Sequence, residues 1–350
     1  MRSKNYLKIG ITADFQKELP GLIEPICSEI FGSYSFIKYE FFDSPPVAIA
    51  EQIDQYDAII SYHINYMPTS FNKIKRLSVI SRWGVGYDKI DVAACTKANV
   101  LLTIVPREVV KNQVAIGILA FIFALNQKVL QKNYLAHSGK WLEKANVLGE
   151  DISNKTLGSI GIGNIGSELF RLSQSLGFKQ FLATDPYVEQ NTISHLNVRL
   201  VDLKTLLKKS DIVTINCPLN QETRGMIGQK ELALMKDSAF LINTARGPII
   251  NEIDLVNALE SNLIAGGAFD VFEHEPLMPS HPLCHLNNVI LSPHSIAFTD
   301  RLVNHNSLYA CRNIISVVKK SIDQNSLVNP EVLNTLSFEN RMQQLQKLFS

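Results

Sequence analysis

The segment Leu157-Gly-Ser-Ile-Gly-Ile-Gly-Asn-Ile-Gly166 holds three glycines in a Gly-x-Gly-x-x-Gly spacing, and Gln180-Phe-Leu-Ala-Thr-Asp185 follows it. The pattern predicts a strand, a glycine turn, a helix, a second strand and a terminal acid. Gly161 permits a tight turn, Gly163 lets the backbone approach a pyrophosphate, and Gly166 lets the helix pack closely on the strand. The pyrophosphate would rest at the helix N-terminus, where unpaired N–H groups and the dipole favour an anion. Asp185, about 20 residues beyond the glycines, is placed to accept from a ribose 2′-OH. It would repel a 2′-phosphate, and Pro186 and Tyr187 bring no guanidinium to neutralise one. A solvated strand end is the plainer account of Asp185. The full pattern predicts NAD(H) binding, with NADH preferred over NADPH.

A second set of residues could move a proton. Arg246 is a planar, permanently charged fork suited to a carboxylate and an adjacent carbonyl oxygen. His294 belongs to the residue type whose intrinsic pKa lies close to neutrality, which suits it to give or take a proton. A carboxylate from Glu273 or Glu275, in Glu273-His-Glu-Pro276, could hold the imidazole and favour its charged form. Reducing a 2-oxo acid needs an anion clamp, a proton donor and a hydride source. Taken singly, each residue has a plainer reading as a surface ion pair, a structural histidine or a solvated acid.

The elements that must position these groups form a repeating pattern. Apolar runs at 159–163, 180–184, 211–216, 239–243, 267–271 and 289–292 recur at intervals suited to βαβ units, with a helix over 167–176. Each run is followed by polar or special residues, among them Asp185, Cys217, Thr244, Ala245, Arg246, Asp270 and His294. Ligands of open parallel sheets bind outside the carboxyl ends of the strands, so these residues belong to one shared site. The chain ahead of the glycines has its own α/β pattern. Strands are expected at 7–12, 36–42, 58–62, 77–81 and 100–105, and helices at 20–31 and 91–99. With 350 residues, two domains are the natural expectation.

Composition excludes more than it identifies. The formal net charge is +1, so no electrostatic footprint for nucleic acid or an anionic membrane exists. Cys27, Cys95, Cys217, Cys284 and Cys311 are scattered, without metal-ligand spacing, and suit reduced thiols in a cytoplasmic setting. No metal is expected. The N-terminal residues lack the apolar core of a signal peptide. The longest apolar run, 114–125, is too short for a bilayer and reads as a helix buried between domains.

The chain up to about Leu333 resembles the D-isomer-specific 2-hydroxyacid dehydrogenase family, which includes phosphoglycerate, glycerate, glyoxylate and D-lactate dehydrogenases. The matching pieces are Gly84-Val-Gly-Tyr-Asp88, Gly139-Lys-Trp141, Gly158–Gly166 with Asp185, and Cys217-Pro-Leu-Asn-Gln-Glu-Thr223. Further on come Asn243-Thr-Ala-Arg-Gly247, Asp270-Val-Phe-Glu-His-Glu-Pro276 and Ser292-Pro-His294. The resemblance implies an α/β protein with two doubly wound parallel sheets, a Rossmann NAD-binding domain (106–295) inserted into a flavodoxin-like substrate domain (1–105 and 296–350). Crossings would lie near 105–125 and 295–307.

The resemblance also implies roles. Arg246 would bind substrate, Glu275 rather than Glu273 would partner the histidine, and His294 would be the general acid/base. Asn164 and Ile165 would contact the pyrophosphate. Cys217 would belong to the cofactor site, Thr244 and Ala245 would line the nicotinamide, and Asp270 would bind its carboxamide. The backbone at Val85 and Gly86 would hold the substrate carboxylate. A homodimer through the nucleotide domain is expected, acting on a small anionic 2-oxo or 2-hydroxy acid. An NAD(H)-sensing protein like the family's corepressors, or a formate or phosphite dehydrogenase, is the alternative. Three departures stand out: Ile116 replaces an acid after Val-Ala, the spacing from Pro106 to Val114 is one residue longer than the common form, and Ser295-Ile-Ala-Phe298 replaces smaller residues after the histidine. Tyr62, His63, Trp83 and Tyr87 are pocket or core residues. The tail 334–350 has apolar residues near helical spacing, suited to a helix on its own domain or a subunit contact.

Overall fold

The computed structural model describes residues 6–349. Contacts divide the chain into two compact units, unit 1 comprising 1–110 with 299–350 and unit 2 comprising 111–298. The expected boundaries were 105/106 and 295/296.

Unit 1 is built on β1 (Leu7–Thr12), β2 (Ile37–Phe42), β3 (Ala58–Ser61), β4 (Val79–Arg82) and β5 (Leu101–Thr103). They pair in the order β2-β1-β3-β4-β5, all parallel. β3 and β5 are buried along their whole length, which is why they read as continuous apolar runs without alternation. The returning chain supplies the helix Asp300–Val318. Buried amides and hydroxyls knit it to the sheet: Asn313 Nδ2 donates to Ile104 O at 2.9 Å, and Ser81 Oγ to Ala310 O at 2.8 Å. Asn329 accepts from Leu102 N at 2.8 Å and donates to Val100 O at 3.0 Å. The tail forms the helix Leu336–Gln346, with Thr335 capping the N–H of Phe338, and buries Phe338, Met342 and Leu345 in unit 1. The structure thus selects the helix on its own domain.

Unit 2 holds β6 (Thr156–Ile160), β7 (Gln180–Thr184), β8 (Arg199–Leu200), β9 (Ile212–Ile215), β10 (Phe240–Asn243), β11 (Gly266–Phe269) and β12 (Val289–Leu291). Their order is β12-β11-β10-β9-β6-β7-β8, again all parallel, with the winding reversing between β6 and β9. Apolar layers cover both faces, one including Leu206, Leu241 and Leu255, the other Ile122, Leu169 and Phe170. The expected pair of parallel α/β sheets is present.

Three local expectations need correction. The strand entering the glycine turn is Thr156–Ile160, three residues earlier than 159–163, because Gly161 turns at φ 92° and cannot extend the ladder. The helix after the turn is Asn164–Ser173 rather than 167–176, beginning directly at the glycines. The apolar run 114–125 belongs to a longer helix, Arg107–Asn126, which in length and hydropathy is sufficient to cross a membrane. Its Ala115, Ile118, Phe121, Ile122 and Leu125 nevertheless pack in the core of unit 2 beside Leu157 and Phe170. The two-residue strand β8 has no counterpart in the sequence reading, being too short to leave a period.

Phe338 is nearly fully buried. Phe338→Ala should lower the unfolding free energy by about 3–5 kcal/mol, measured as a lower urea midpoint. An unchanged midpoint would mean that the tail helix is not docked.

Candidate active site

The glycine turn sits where β6, β7 and β9 end. A Cβ on Gly161 would lie 2.8 Å from Asn216 C and 2.9 Å from Cys217 N, so only glycine lets the two loops approach. A Cβ on Gly166 would lie 2.5 Å from Gly161 O and 3.2 Å from Ser159 Oγ; the helix packs on the turn itself as well as on the strand. Around Gly163 a Cβ would meet nothing within 4 Å. Gly163 is also the N-cap of the helix Asn164–Ser173, and no side chain caps it. The first-turn N–H groups, including those of Asn164 and Ile165, therefore face space open to an anion. The opening, the uncapped helix and the acid on β7 fit a dinucleotide.

Asp185 has a second duty that the sequence did not disclose. Its Oδ2 accepts from Ile162 N at 3.0 Å and its Oδ1 from Tyr187 N at 3.0 Å, so the carboxylate fixes the glycine turn and is itself held in place. Beneath the turn, Ser159 Oγ donates to Gly161 O at 2.6 Å and Asn216 Nδ2 to Ser159 Oγ at 2.8 Å. Cys217 follows on the next loop. Burial, slightly aided by the Asp185 charge, pushes its thiol up to about 11 and keeps it neutral near pH 7.

The candidate proton-handling pair is assembled from two other loops. His294 Nδ1 lies 3.0 Å from Glu275 Oε2. Glu275 Oε1 accepts from Phe272 N at 3.2 Å, which steadies the carboxylate. The backbone N–H of Glu273 donates to Glu252 Oε2 at 3.0 Å. Of the two acids left open by the residue types, Glu275 is the partner. His294 has φ 53°, a left-handed conformation uncommon for a residue with a side chain. Its N–H donates to Asp270 O at 2.8 Å, and the carboxylate of Asp270 accepts from Ser295 N at 2.8 Å and Ile296 N at 3.0 Å. Burial raises the Asp270 carboxyl above the usual range, against weaker lowering by Ser292, the two amides and His294. Gly117 completes the support, since a Cβ there would lie 2.9 Å from Ile296 O.

Arg246 leaves the end of β10 together with Thr244 and Ala245, all partly buried. Asn243 shapes this turn: its Oδ1 accepts from Ala245 N at 3.0 Å and its Nδ2 donates to Arg246 O at 2.9 Å. Arg246 Nη1 donates to Ala245 O at 2.6 Å. The sequence reading missed Asn216 and Asn243; two asparagines closing neighbouring apolar strands were the available signal. Val85 and Gly86 lie in unit 1, on the loop leaving β4, whereas every other assigned residue lies in unit 2. Tyr62 and Trp83 pack with Phe15 in unit 1, with ring centroids 5.1–5.8 Å apart, and Tyr87 packs against its core. His63 stacks on Tyr62 with its Nδ1 3.0 Å from Glu18, and burial holds its imidazole below the usual value. Among the described residues no group of His, Cys, Asp or Glu side chains is arranged to hold a metal ion.

A family model described as D-isomer specific 2-hydroxyacid dehydrogenase, NAD binding domain, matches residues 119–295. Over 267 residues the chain is 37% identical to a glyoxylate reductase of Thermofilum pendens, a match covering 75% of this chain and 78% of that protein. The chain belongs to the D-isomer-specific 2-hydroxyacid dehydrogenase family. Among solved structures, a glyoxylate reductase from Paecilomyes thermophila superposes with a TM-score of 0.77 at 27% identity, covering 93% of this chain and 99% of that one. An acyclic imino acid reductase in complex with NADPH and D-Arg gives a TM-score of 0.78 at 26% identity, with 92% and 100% covered. As a 2-hydroxyacid dehydrogenase, the protein is an NAD(P)-linked oxidoreductase of small 2-oxo or 2-hydroxy acids, with unit 2 as its Rossmann domain.

Gly161→Ala tests the nucleotide turn in this dehydrogenase. A side chain at φ 92° pressed against Asn216 should weaken NADH binding about tenfold or more. Fluorescence titration reads the loss, with circular dichroism confirming that the fold persists; undiminished affinity would place the pyrophosphate elsewhere.

Proposed function

We propose that this protein is an NADH-preferring dehydrogenase that reduces small 2-oxo acids to D-2-hydroxy acids, in the reversible manner of the family. The observation that carries the reading is the 3.0 Å His294–Glu275 pair, in the same unit as the glycine turn and Arg246. Bound NAD(H) supplies or accepts the hydride. Arg246 binds the anionic substrate and the adjacent carbonyl oxygen, and the planar fork holds both in one orientation. In the reductive direction, His294 donates the proton on its Nε2 to the carbonyl oxygen. Glu275 at Nδ1 fixes the ring and stabilises the imidazolium that gives up that proton. Thr244, Ala245, Cys217 and Asp270 are assigned to the nicotinamide end of the cofactor site. Val85 and Gly86 of unit 1 are assigned to the substrate carboxylate.

The preference for NADH rests on Asp185, an acid at the end of β7 with no neighbouring guanidinium in Pro186 or Tyr187. A homodimer through unit 2 is supported by an apolar surface: Val129, Leu130, Tyr134, Trp141, Leu142 and Leu148 are 47–99% exposed. A cytoplasmic setting is supported by five free thiols.

NADH oxidation against glyoxylate, hydroxypyruvate, pyruvate, longer 2-oxo acids and 3-phosphohydroxypyruvate tests the activity. Glyoxylate heads the panel because two of the three relatives named above are glyoxylate reductases. His294→Ala should lower kcat by about 10²–10⁴-fold, and Arg246→Ala should nearly abolish turnover while Arg246→Lys retains part of it. Cofactor binding without turnover of any panel member, and without NAD+ reduction by formate or phosphite, would instead support an NAD(H)-sensing protein. Leu142→Glu should give a monomer by size-exclusion chromatography with light scattering. A wild-type protein already monomeric would refute the dimer.

A further inference from the structure

Beyond Asp185, the rim of the nucleotide site carries a second carboxylate. Tyr187, whose N–H is bonded to Asp185, donates its hydroxyl to Glu222 Oε2 at 3.1 Å. Glu222 comes from a different segment, the turn that follows β9. That turn is built without the Glu222 carboxylate: Asn220 Oδ1 accepts from the N–H groups of Glu222 and Thr223 at 2.9 Å each, and Thr223 Oγ1 donates to Pro218 O at 2.7 Å. The carboxylate is therefore spare as a building element, yet it is anchored on the tyrosine that follows the ribose-facing acid. The Tyr187 phenol is held above its usual value, first by its hydrogen bond to Glu222 and to a smaller degree by Asp185, so both charges reach the same ring.

We infer that Glu222, anchored by Tyr187, is a second determinant of cofactor choice that acts with Asp185 against a dinucleotide bearing a 2′-phosphate. The inference rests on the reading that Asp185 faces the ribose. Two physical effects point the same way. A phosphate monoester carries about −1.5 to −2 charges near neutral pH and would be repelled by both carboxylates, whereas an unmodified ribose is neutral. The Tyr187 hydroxyl is the one side-chain donor in Asp185-Pro-Tyr187, and its proton is committed to Glu222 rather than offered to a phosphate. Both side chains are exposed, so solvent and salt weaken the charge effect to a modest factor.

Dissociation constants for NADH and NADPH, and for ADP-ribose with and without a 2′-phosphate, test this by calorimetry on the full chain. Glu222→Gln keeps an oxygen for the tyrosine and removes only the charge. It should tighten binding of both 2′-phosphorylated ligands by about three- to tenfold and change the unphosphorylated pair by less than about twofold, with the gain shrinking in 0.5 M salt. Tyr187→Phe should give a smaller change in the same direction. Asp185→Asn separates the two levels of the reading. If Asp185→Asn shifts the NADH/NADPH ratio and Glu222→Gln does not, Glu222 plays no part and the ribose assignment stands. If neither variant shifts it, the ribose assignment itself fails. Equal loss of all four ligands in Glu222→Gln would reduce the residue to a structural role and overturn the inference.

Discussion

A buried carboxylate just after β11 sets the geometry on which the proposed proton-handling groups depend. Asp270 is 4% exposed, and its side chain gathers the N–H groups of Ser295 and Ile296, while its backbone carbonyl takes that of His294. Its own N–H is bonded to Asn243 O, the residue that shapes the Arg246 turn. One residue thus joins the loop after β10 to the loop after β12. A left-handed conformation at a residue such as His294 costs of order 1–3 kcal/mol and persists only where its surroundings over-determine it. Three hydrogen bonds onto Asp270 and the close seat of Gly117 under Ile296 supply that constraint. The buried charge is costly in itself, and the donors converging on it offset the cost.

The same logic of close approach governs the nucleotide end. Parallel strands deliver their carboxyl ends to one edge, and the winding reversal between β6 and β9 leaves a crevice there. Gly161, Gly163 and Gly166 then do three separate things: one admits the neighbouring loop, one leaves open space, and one seats the helix on the turn. Asp185 closes the arrangement by bonding the N–H of Ile162, so the acid that would read the ribose also keeps the turn in shape. The site needs no residue to move from one edge of the sheet to the other.

Unit 1 answers a different problem, the docking of a returning stretch of chain, 299–350, on a sheet formed within the first 110 residues. Its solution is a set of buried amides. Asn313 and Asn329 bond backbone groups at the edge of the sheet that the first 110 residues complete, and the tail helix adds Phe338, Met342 and Leu345 to that core. Buried polar groups of this kind stabilise only when satisfied, and satisfied ones specify a unique docking.

By itself, the sequence determined the class of fold and the glycine turn with its acid, and it named Arg246 and His294 as candidates for the anion and proton chemistry. Each is carried by local information: strand periodicity, the missing Cβ of glycine, and residue types that have few chemical substitutes. Residue types left Glu273 and Glu275 open, because two acids on one loop have the same chemistry; the resemblance pointed to Glu275, and the tertiary structure sets its carboxylate against His294. It also revealed the tie from Asn216 to Ser159 on β6, and those by which Asp270 joins Asn243 to the loop that carries His294. The helix Arg107–Asn126 shows the limit from the other side. Its composition and length suit a bilayer as well as a protein core, and what settles its place is the apolar surface of unit 2 that buries Ile118, Phe121 and Ile122. Hydrophobicity is non-directional, so the sequence states that such a helix must be covered, and only packing names what covers it.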